Sequence, residues 1–169
     1  MLKLDKIDFH ILSALQRDGR ITKLKLAETV NLSPAACWER LRRLEQSGII
    51  TGYGARIDME RIGRRTTVLV EVTLKSHHRA DFQKFESAIA RESAVVSCFA
   101  TGGGIDYLLK VVVPDIDAYQ HMMDGLLTRE IGIERYFTYV VTKTVKDSNG
   151  VGDLEQIAAA GKEILWEGG

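Results

Sequence analysis

The hydrophobic period of this 169-residue chain changes once. Up to about residue 50 the apolar residues recur at helical spacing, as Leu4, Ile7, Ile11 and Leu15, then Leu26, Ala27 and Val30, then Cys37, Leu41 and Leu44. From about residue 65 they alternate, as in Val68, Val70, Val72 and Leu74, which is the period of a strand. The switch predicts two modules, a small helical one followed by an α+β one.

In the helical module, Asp5 is placed to cap a first helix that Asp18-Gly19 stops, and a second helix runs from Thr22 to about Asn31, a residue that tolerates the left-handed conformation. Ser33-Pro34 then starts a third helix, Ala35 to about Ser47, because the hydroxyl can accept an orphan backbone N–H and proline at the first helical position loses no intrahelical bond. At about 100° per residue, Leu41 and Leu44 fall within about 40° of Cys37 and make the buried stripe. Ala35, Glu39, Arg42 and Gln46 point away, with Arg43 beside them. Two helices joined by a tight turn, the second with small residues at its exposed start and arginines further along, have the layout of a helix-turn-helix. Ile49–Tyr53 reads as a short strand that would close the module as a wing, and residues 51–64 read as a linker with a hinge strand.

The second module reads as strand (Val68–Leu74), helix (Phe82, Phe85, Ile89), hairpin strands (Val95–Thr101 and Ile105–Val113) around Gly102-Gly103-Gly104, a helix capped by Asp115, and a last strand from Tyr136 to Val145. That βαββαβ order is a ferredoxin-like sandwich. Its two helices cover one sheet face, yet the strands are apolar on both, with Leu108 and Val112 between Tyr107, Leu109 and Val111. The uncovered face predicts a homo-oligomer with sheet facing sheet.

Composition bounds the function. With 45% hydrophobic and 27% charged residues the chain is a soluble globular protein, expected in the cytosol, with no run long enough to span a membrane. Cys37 and Cys98 read as buried thiols, with no disulfide framework. The net charge of zero divides into +4 for residues 1–64 (12 Lys and Arg against 8 Asp and Glu) and −4 for the remainder (11 against 15), so a polyanion suits the first module alone. There is no nucleotide-binding glycine motif, metalloprotease helix, nucleophile elbow or nucleophile–base pair, so no catalytic residue and no cofactor are assigned. His77-His78 has no third ligand at suitable spacing, so no metal is assigned either.

The sequence resembles the Lrp/AsnC (feast/famine) transcriptional regulators from about Leu4 to Asn149. The resemblance is carried by Leu4-Asp5-Lys6-Ile7-Asp8, Gln16-Arg17-Asp18-Gly19-Arg20-Ile21, Val30-Asn31-Leu32-Ser33-Pro34 and Cys37-Trp38-Glu39-Arg40-Leu41-Arg42-Arg43-Leu44-Glu45. In the second module it runs through Asp106-Tyr107-Leu108-Leu109-Lys110, Val113-Pro114-Asp115 and Thr138-Tyr139-Val140-Val141. It implies an α+β chain with a winged helix-turn-helix at residues 1–50 and a ferredoxin-like effector-binding and oligomerisation domain of RAM type at 65–149. Dimers that can proceed to octamers, and an amino acid or related metabolite as effector, follow from the same resemblance. The extension at 150–169 lies outside it and reads as helical, with Asp153 as cap and Leu154, Ile157, Ala158, Leu165 and Trp166 as its apolar residues.

Candidate contacts to double-stranded DNA are Ser33, Ala35, Ala36, Trp38, Glu39, Arg42 and Arg43. Trp38 is either core packing or a sugar-phosphate contact, and Arg40 lies nearer the core and serves the fold. Candidate effector residues are Gly102, Gly103, Gly104, Asp106, Tyr136 and Thr138, the last two from the same or a neighbouring subunit. Glycines let backbone groups approach a carboxylate and an ammonium, and Asp106 can bind the ammonium or brace the loop. Two positions depart from the family pattern. Gly104-Ile105 replaces a polar-aromatic pair, and Tyr136 stands where Thr or Ser is common, so the expected effector is an amino acid other than leucine. The alternative reading is a ligand-responsive regulatory subunit of a metabolic enzyme that does not bind DNA.

Overall fold

The computed structural model describes residues 2–146, Leu154, Leu165 and Trp166. They belong to two compact units, one from Met1–Ile57 with Lys146–Gly169, the other Asp58–Val145.

In the first unit, α1 (Lys6–Arg17) opens with a reciprocal cap. The Asp5 carboxylate accepts the Asp8 amide at 2.9 Å, and the Asp8 carboxylate accepts the Asp5 amide at 3.0 Å. Thr22 caps α2 (Lys23–Thr29) through the Lys25 amide, and Ser33 caps α3 (Pro34–Gln46) through the Ala36 amide at 3.3 Å. Between α2 and α3 the chain turns at Asn31, with φ 53°, and the Leu32 amide donates to Ala27 O at 2.9 Å. Ile11, Leu26, Ala27, Cys37, Leu41 and Leu44 are buried together and make the three helices one core.

Three expectations are corrected. Ile49–Tyr53 forms no strand: Ile49 and Ile50 are half-buried against the helical core, and none of the described residues pairs with it as a ladder. The hinge segment contains a single helical turn, α4 (Met59–Ile62), instead of a strand. Leu165 and Trp166, expected on a helix, form a strand antiparallel to β1 (Leu2–Lys3), with Trp166 opposite Leu2. Asp153, Ile157 and Ala158 lie outside the described residues.

The second unit is a four-stranded antiparallel sheet. In chain order β2 (Thr66–Leu74), α5 (Arg79–Ile89), β3 (Val95–Ala100), β4 (Tyr107–Val113), α6 (Ile116–Thr128) and β5 (Ile133–Val140) give the spatial order β3-β4-β2-β5. Asp115 caps α6 through the Ala118 amide at 2.8 Å. The central strands send Val68, Val70, Val72 and Leu74, with Tyr107, Leu109, Val111 and Val113, into a core shared with Phe85, Ile89, Tyr119, Met123 and Leu126. Strand β5 starts earlier and ends earlier than its Tyr136–Val145 expectation. Ile133 already pairs with Leu74, but the exposed Glu134 and Arg135 hide the alternation. Beyond Val140 only the Val141 amide still reaches β2, at Thr67 O, because β2 begins at Thr66.

The register also places Phe99, Leu108, Glu71 and Phe137 in one row across the opposite face, and Ser97, Lys110, Leu69 and Tyr139 in the next. Phe99, Phe137 and Tyr139 are 58%, 52% and 49% exposed. Cys98 is corrected as well. It lies on the edge strand β3 and is exposed, whereas Cys37 is buried.

Candidate nucleic-acid interface and effector site

The sequence of α3 sorts its side chains around the helix. Cys37, Leu41 and Leu44 face the core, while Ser33, Pro34, Ala35, Glu39, Arg42 and Gln46 are exposed. The first turn is small, so backbone amides and the Ser33 side chain lie at the surface, and Arg42 extends from the outer face one turn and a half later. A helix with this distribution can enter a major groove by its N-terminal half and meet base edges or phosphates with Arg42.

The flanks of α3 are held by its neighbours. On one side the Asp8 carboxylate, fully buried, accepts Arg40 Nη1 at 2.9 Å and Arg43 Nη2 at 2.7 Å. Arg40 Nη1 also reaches Asp5 Oδ2 at 2.7 Å. Burial alone would raise the Asp5 carboxyl, but the Asp8 amide, the hydrogen bond and charge of Arg40 and the Ile7 amide together hold it below the ordinary aspartate range. On the other side Lys23 Nζ sits 3.1 Å from the centroid of the Trp38 ring. Arg40 therefore serves the fold, as its position near the core suggested. Arg43 differs from its expected free placement, because its guanidinium is tied to Asp8. Trp38, 40% exposed, is stacked under a lysine of α2. Sequence reasoning missed Asp5, Asp8 and Lys23. The available signal was two acids at the start of α1 facing two arginines three residues apart in α3.

In the second unit the hairpin between β3 and β4 spans Thr101–Asp106. It is closed by Thr101 N–H to Asp106 O at 2.9 Å and by the Thr101 hydroxyl to Ile105 O at 2.7 Å. Gly102, Gly103 and Gly104 are exposed at its tip, and of the three only Gly103, with φ +139°, needs to be glycine. Asp106 braces the loop: Oδ2 accepts the Leu74 amide at 2.8 Å, and His77 Nε2 lies 3.0 Å from Oδ1. His77 is the partner that sequence spacing did not identify. Beside the hairpin, a groove of about 460 Å³ runs along α5, lined by Arg79, Phe82, Glu86, Thr101, Asp106 and Tyr107. Its polar wall includes the Tyr107 hydroxyl donating to Glu86 Oε1 at 2.8 Å, and burial, with Glu86 beside it, pushes that phenol up.

Tyr136 and Thr138 are not brought to this loop within one chain. They sit on β5 opposite Val72 and Val70, with β2 between them and the hairpin's second strand β4, roughly 10 Å away at the usual strand spacing. Thr138 Oγ1 is 2.5 Å from the Tyr119 hydroxyl of α6.

Residues 4–51 match the winged helix-turn-helix DNA-binding family, and residues 67–151 match the Lrp/AsnC ligand binding domain. The chain belongs to the Lrp/AsnC family of transcriptional regulators. It is 49% identical over 157 residues to the transcriptional regulatory protein DoeX of Halomonas elongata, covering 93% of this chain and 99% of that one. It is 41% identical over 146 residues to the leucine-responsive regulatory protein of Escherichia coli K12, covering 86% and 89%. Among solved structures, an AsnC family regulator from Agrobacterium tumefaciens superposes with a TM-score of 0.82 at 30% identity, over 88% of this chain and 97% of that one. A Neisseria meningitidis transcriptional regulator solved as its L-Met complex superposes at 0.80 and 32% identity, over 88% and 96%. Among the described residues, no helix is long and apolar enough to cross a membrane.

Proposed function

We propose that this Lrp/AsnC protein is a homodimeric, sequence-specific DNA-binding regulator whose DNA affinity or assembly responds to an amino acid or a closely related metabolite. The observation that carries the reading is the outer face of α3: Ser33, Ala35 and Glu39 expose small or hydrogen-bonding groups over the first two turns, with the half-buried Ala36 at their edge, followed by Arg42. Arg42 makes the outward charge contact, and its Ala variant weakens binding and lowers the salt dependence. A two-fold dimer presents two such helices about 34–36 Å apart, which fits an imperfect palindrome.

The dimer reading rests on the row of Phe99, Leu108 and Phe137, with Glu71 among them, on the sheet face opposite the one that α5 and α6 cover. The effector reading rests on the braced glycine hairpin with the groove beside it, where Arg79 offers a cation to a carboxylate and Glu86 and Asp106 offer anions to an ammonium. The Neisseria relative bound to L-Met supports an amino acid as the class. Residues 1–50 and 65–149 carry the two roles, and the chain acts without catalysis in the cytoplasm.

The test is fluorescence anisotropy with a duplex recovered by the protein from a random-sequence library, repeated across the proteinogenic amino acids. At least one of them is expected to change the apparent Kd at least threefold and to raise the Tm of wild type more than that of Asp106→Ala. Recovery of no preferred duplex at low salt, with a stoichiometric enzyme co-purifying instead, would favour the regulatory-subunit reading.

A further inference from the structure

We infer that Asp8 is a positioning residue for DNA recognition: with Lys23 on the opposite flank, it fixes the roll of α3 so that Arg42, and not Arg43, faces the nucleic acid. The inference rests on the DNA-binding reading above. Relative to Cys37, Arg40 and Arg43 lie about 60° and 120° around one side of the helix, and Trp38 about 100° around the other. Ala35, Glu39, Arg42 and Gln46 fill the remaining outer arc. The apolar stripe of Cys37, Leu41 and Leu44 buries one side of α3, by packing that is non-directional. The ion pairs are directional. Asp8 Oδ1 takes Arg40 Nη1 at 2.9 Å and Arg43 Nη2 at 2.8 Å, while Oδ2 takes Arg43 Nη2 at 2.7 Å and the Asp5 amide at 3.0 Å.

A carboxylate placed beside a DNA-reading helix opposes binding by its charge. Here it is wholly buried under two arginines, so its field is neutralised and its geometry is retained. The arrangement also divides two adjacent arginines by role. Arg42 is exposed and makes no hydrogen bond or ion pair with the described residues, whereas Arg43 is held at a fixed angle to α1.

The experiment uses the full-length protein, the duplex recovered from the random library, and a mixed-sequence duplex of equal length, with Kd measured from about 50 to 300 mM salt. Arg42→Ala is expected to lower the slope of log Kd against log salt by about 1 per subunit. Arg43→Ala is expected to leave that slope unchanged while weakening the selected duplex about tenfold. Asp8→Asn, which removes the charge that holds Arg43 and leaves Arg40 with Asp5, is expected to raise the slope and the affinity for the mixed-sequence duplex while the preference for the selected one falls at least tenfold. Asp8→Asn with Arg43→Gln brings the slope back toward wild type without restoring the preference. A slope lowered by Arg43→Ala as much as by Arg42→Ala would make Arg43 a phosphate contact and overturn the inference. So would equal losses on both duplexes in a folded Asp8→Asn protein. If Asp8→Asn does not fold, the two arginine variants decide. If wild type recovers no duplex at all, the DNA-binding reading itself has failed.

Discussion

Helix α3 and the open face of the sheet are both solvent-facing surfaces, yet they are built by opposite means. The helix is oriented from its flanks by charge, through Asp5, Asp8, Arg40 and Arg43 on one side and Lys23 over Trp38 on the other. The sheet face is oriented mainly by backbone register, since the pairings of β4 with β3 and of β2 with β4 and β5 put Phe99, Leu108, Glu71 and Phe137 in one row. To that row the Tyr139 hydroxyl adds a hydrogen bond to Glu71 at 3.2 Å. Each device suits its partner. A surface that meets a rigid, charged groove gains from directional contacts that set one angle, and a surface that meets another apolar face gains mainly from area removed from water. The first should therefore fail sharply when one atom is changed, and the second gradually with area.

The largest effect is expected from Asp8→Ala. Removing Asp8 leaves Arg43 without its anchor and Arg40 with Asp5 alone, and because both guanidiniums are partly exposed the loss is set below the figure of about 3–5 kcal/mol for a fully buried pair. Both tryptophans of the chain, Trp38 and Trp166, lie in the first unit, so tryptophan fluorescence during urea unfolding reports that unit. The midpoint should fall markedly. An unchanged midpoint would mean that the charges are incidental and that the contrast with the sheet is false.

Phe137→Ala should act more gently and on assembly. Phe137 is half exposed in the single chain, so its loss changes folding little, but each copy forfeits about 1.5–3 kcal/mol of apolar burial if sheets pack face to face. Sedimentation should show a dimer dissociating at higher concentration than wild type. Wild type that is monomeric at micromolar concentration would leave this face without the partner proposed for it.

Much of this contrast was legible in the sequence, for reasons that differ between the two units. The three helices could be read because caps and turns are local: Asp5, Thr22 and Ser33 each accept a backbone N–H three residues ahead, and Asn31 takes the left-handed turn. The sheet could be read because Val68–Leu74 and Tyr107–Val113 are central strands with strict alternation. What escaped was set by partners distant in sequence. Ile49–Tyr53 has strand composition but no strand to pair with. Leu165-Trp166 has a helical pattern but finds Leu2-Lys3. Cys98 sits in an apolar run yet lies on an edge strand, where one side is open. In the candidate sites, Arg43 looked equivalent to Arg42 because helical spacing gives an angle and not a partner. For Asp106 the sequence leaves open an ammonium contact or a loop brace, because the Leu74 amide and His77 that brace it lie about thirty residues away along the chain.

A smaller effect tests the start of α3. Ser33→Ala removes the cap on the Ala36 amide and should cost about 0.5–2 kcal/mol of stability in the first unit, seen as an earlier urea midpoint by tryptophan fluorescence. Ser33 also stands on the face proposed to meet the duplex, so the variant should bind selected and mixed-sequence duplexes more weakly by similar factors. The preference between them should stay near wild type because the flank ion pairs at Arg40 and Arg43 are untouched. Loss of that preference would show that the first turn, and not the charged flank, sets the orientation.

The smallest expected effect is a pH dependence from Asp5, whose carboxylate is half exposed and so is well screened. Its pKa in the folded protein is depressed below the ordinary 3.8, since the Asp8 amide and Arg40 outweigh the opposing influence of burial. A depressed acid contributes stability that is present above its unfolded pKa and is lost as pH falls through the folded one. The contribution of Asp5 should thus be whole at neutral pH and begin to fade only below about pH 4, as the unfolded chain starts to take up the proton first. Other carboxylates protonate in the same range, so the informative quantity is the difference between wild type and Asp5→Asn. That difference in urea midpoint should be small and constant from about pH 7 to 5 and should shrink toward zero by about pH 2. Two curves that stay parallel down to the lowest pH would remove Asp5 from the clamp and leave Asp8 as its only acid.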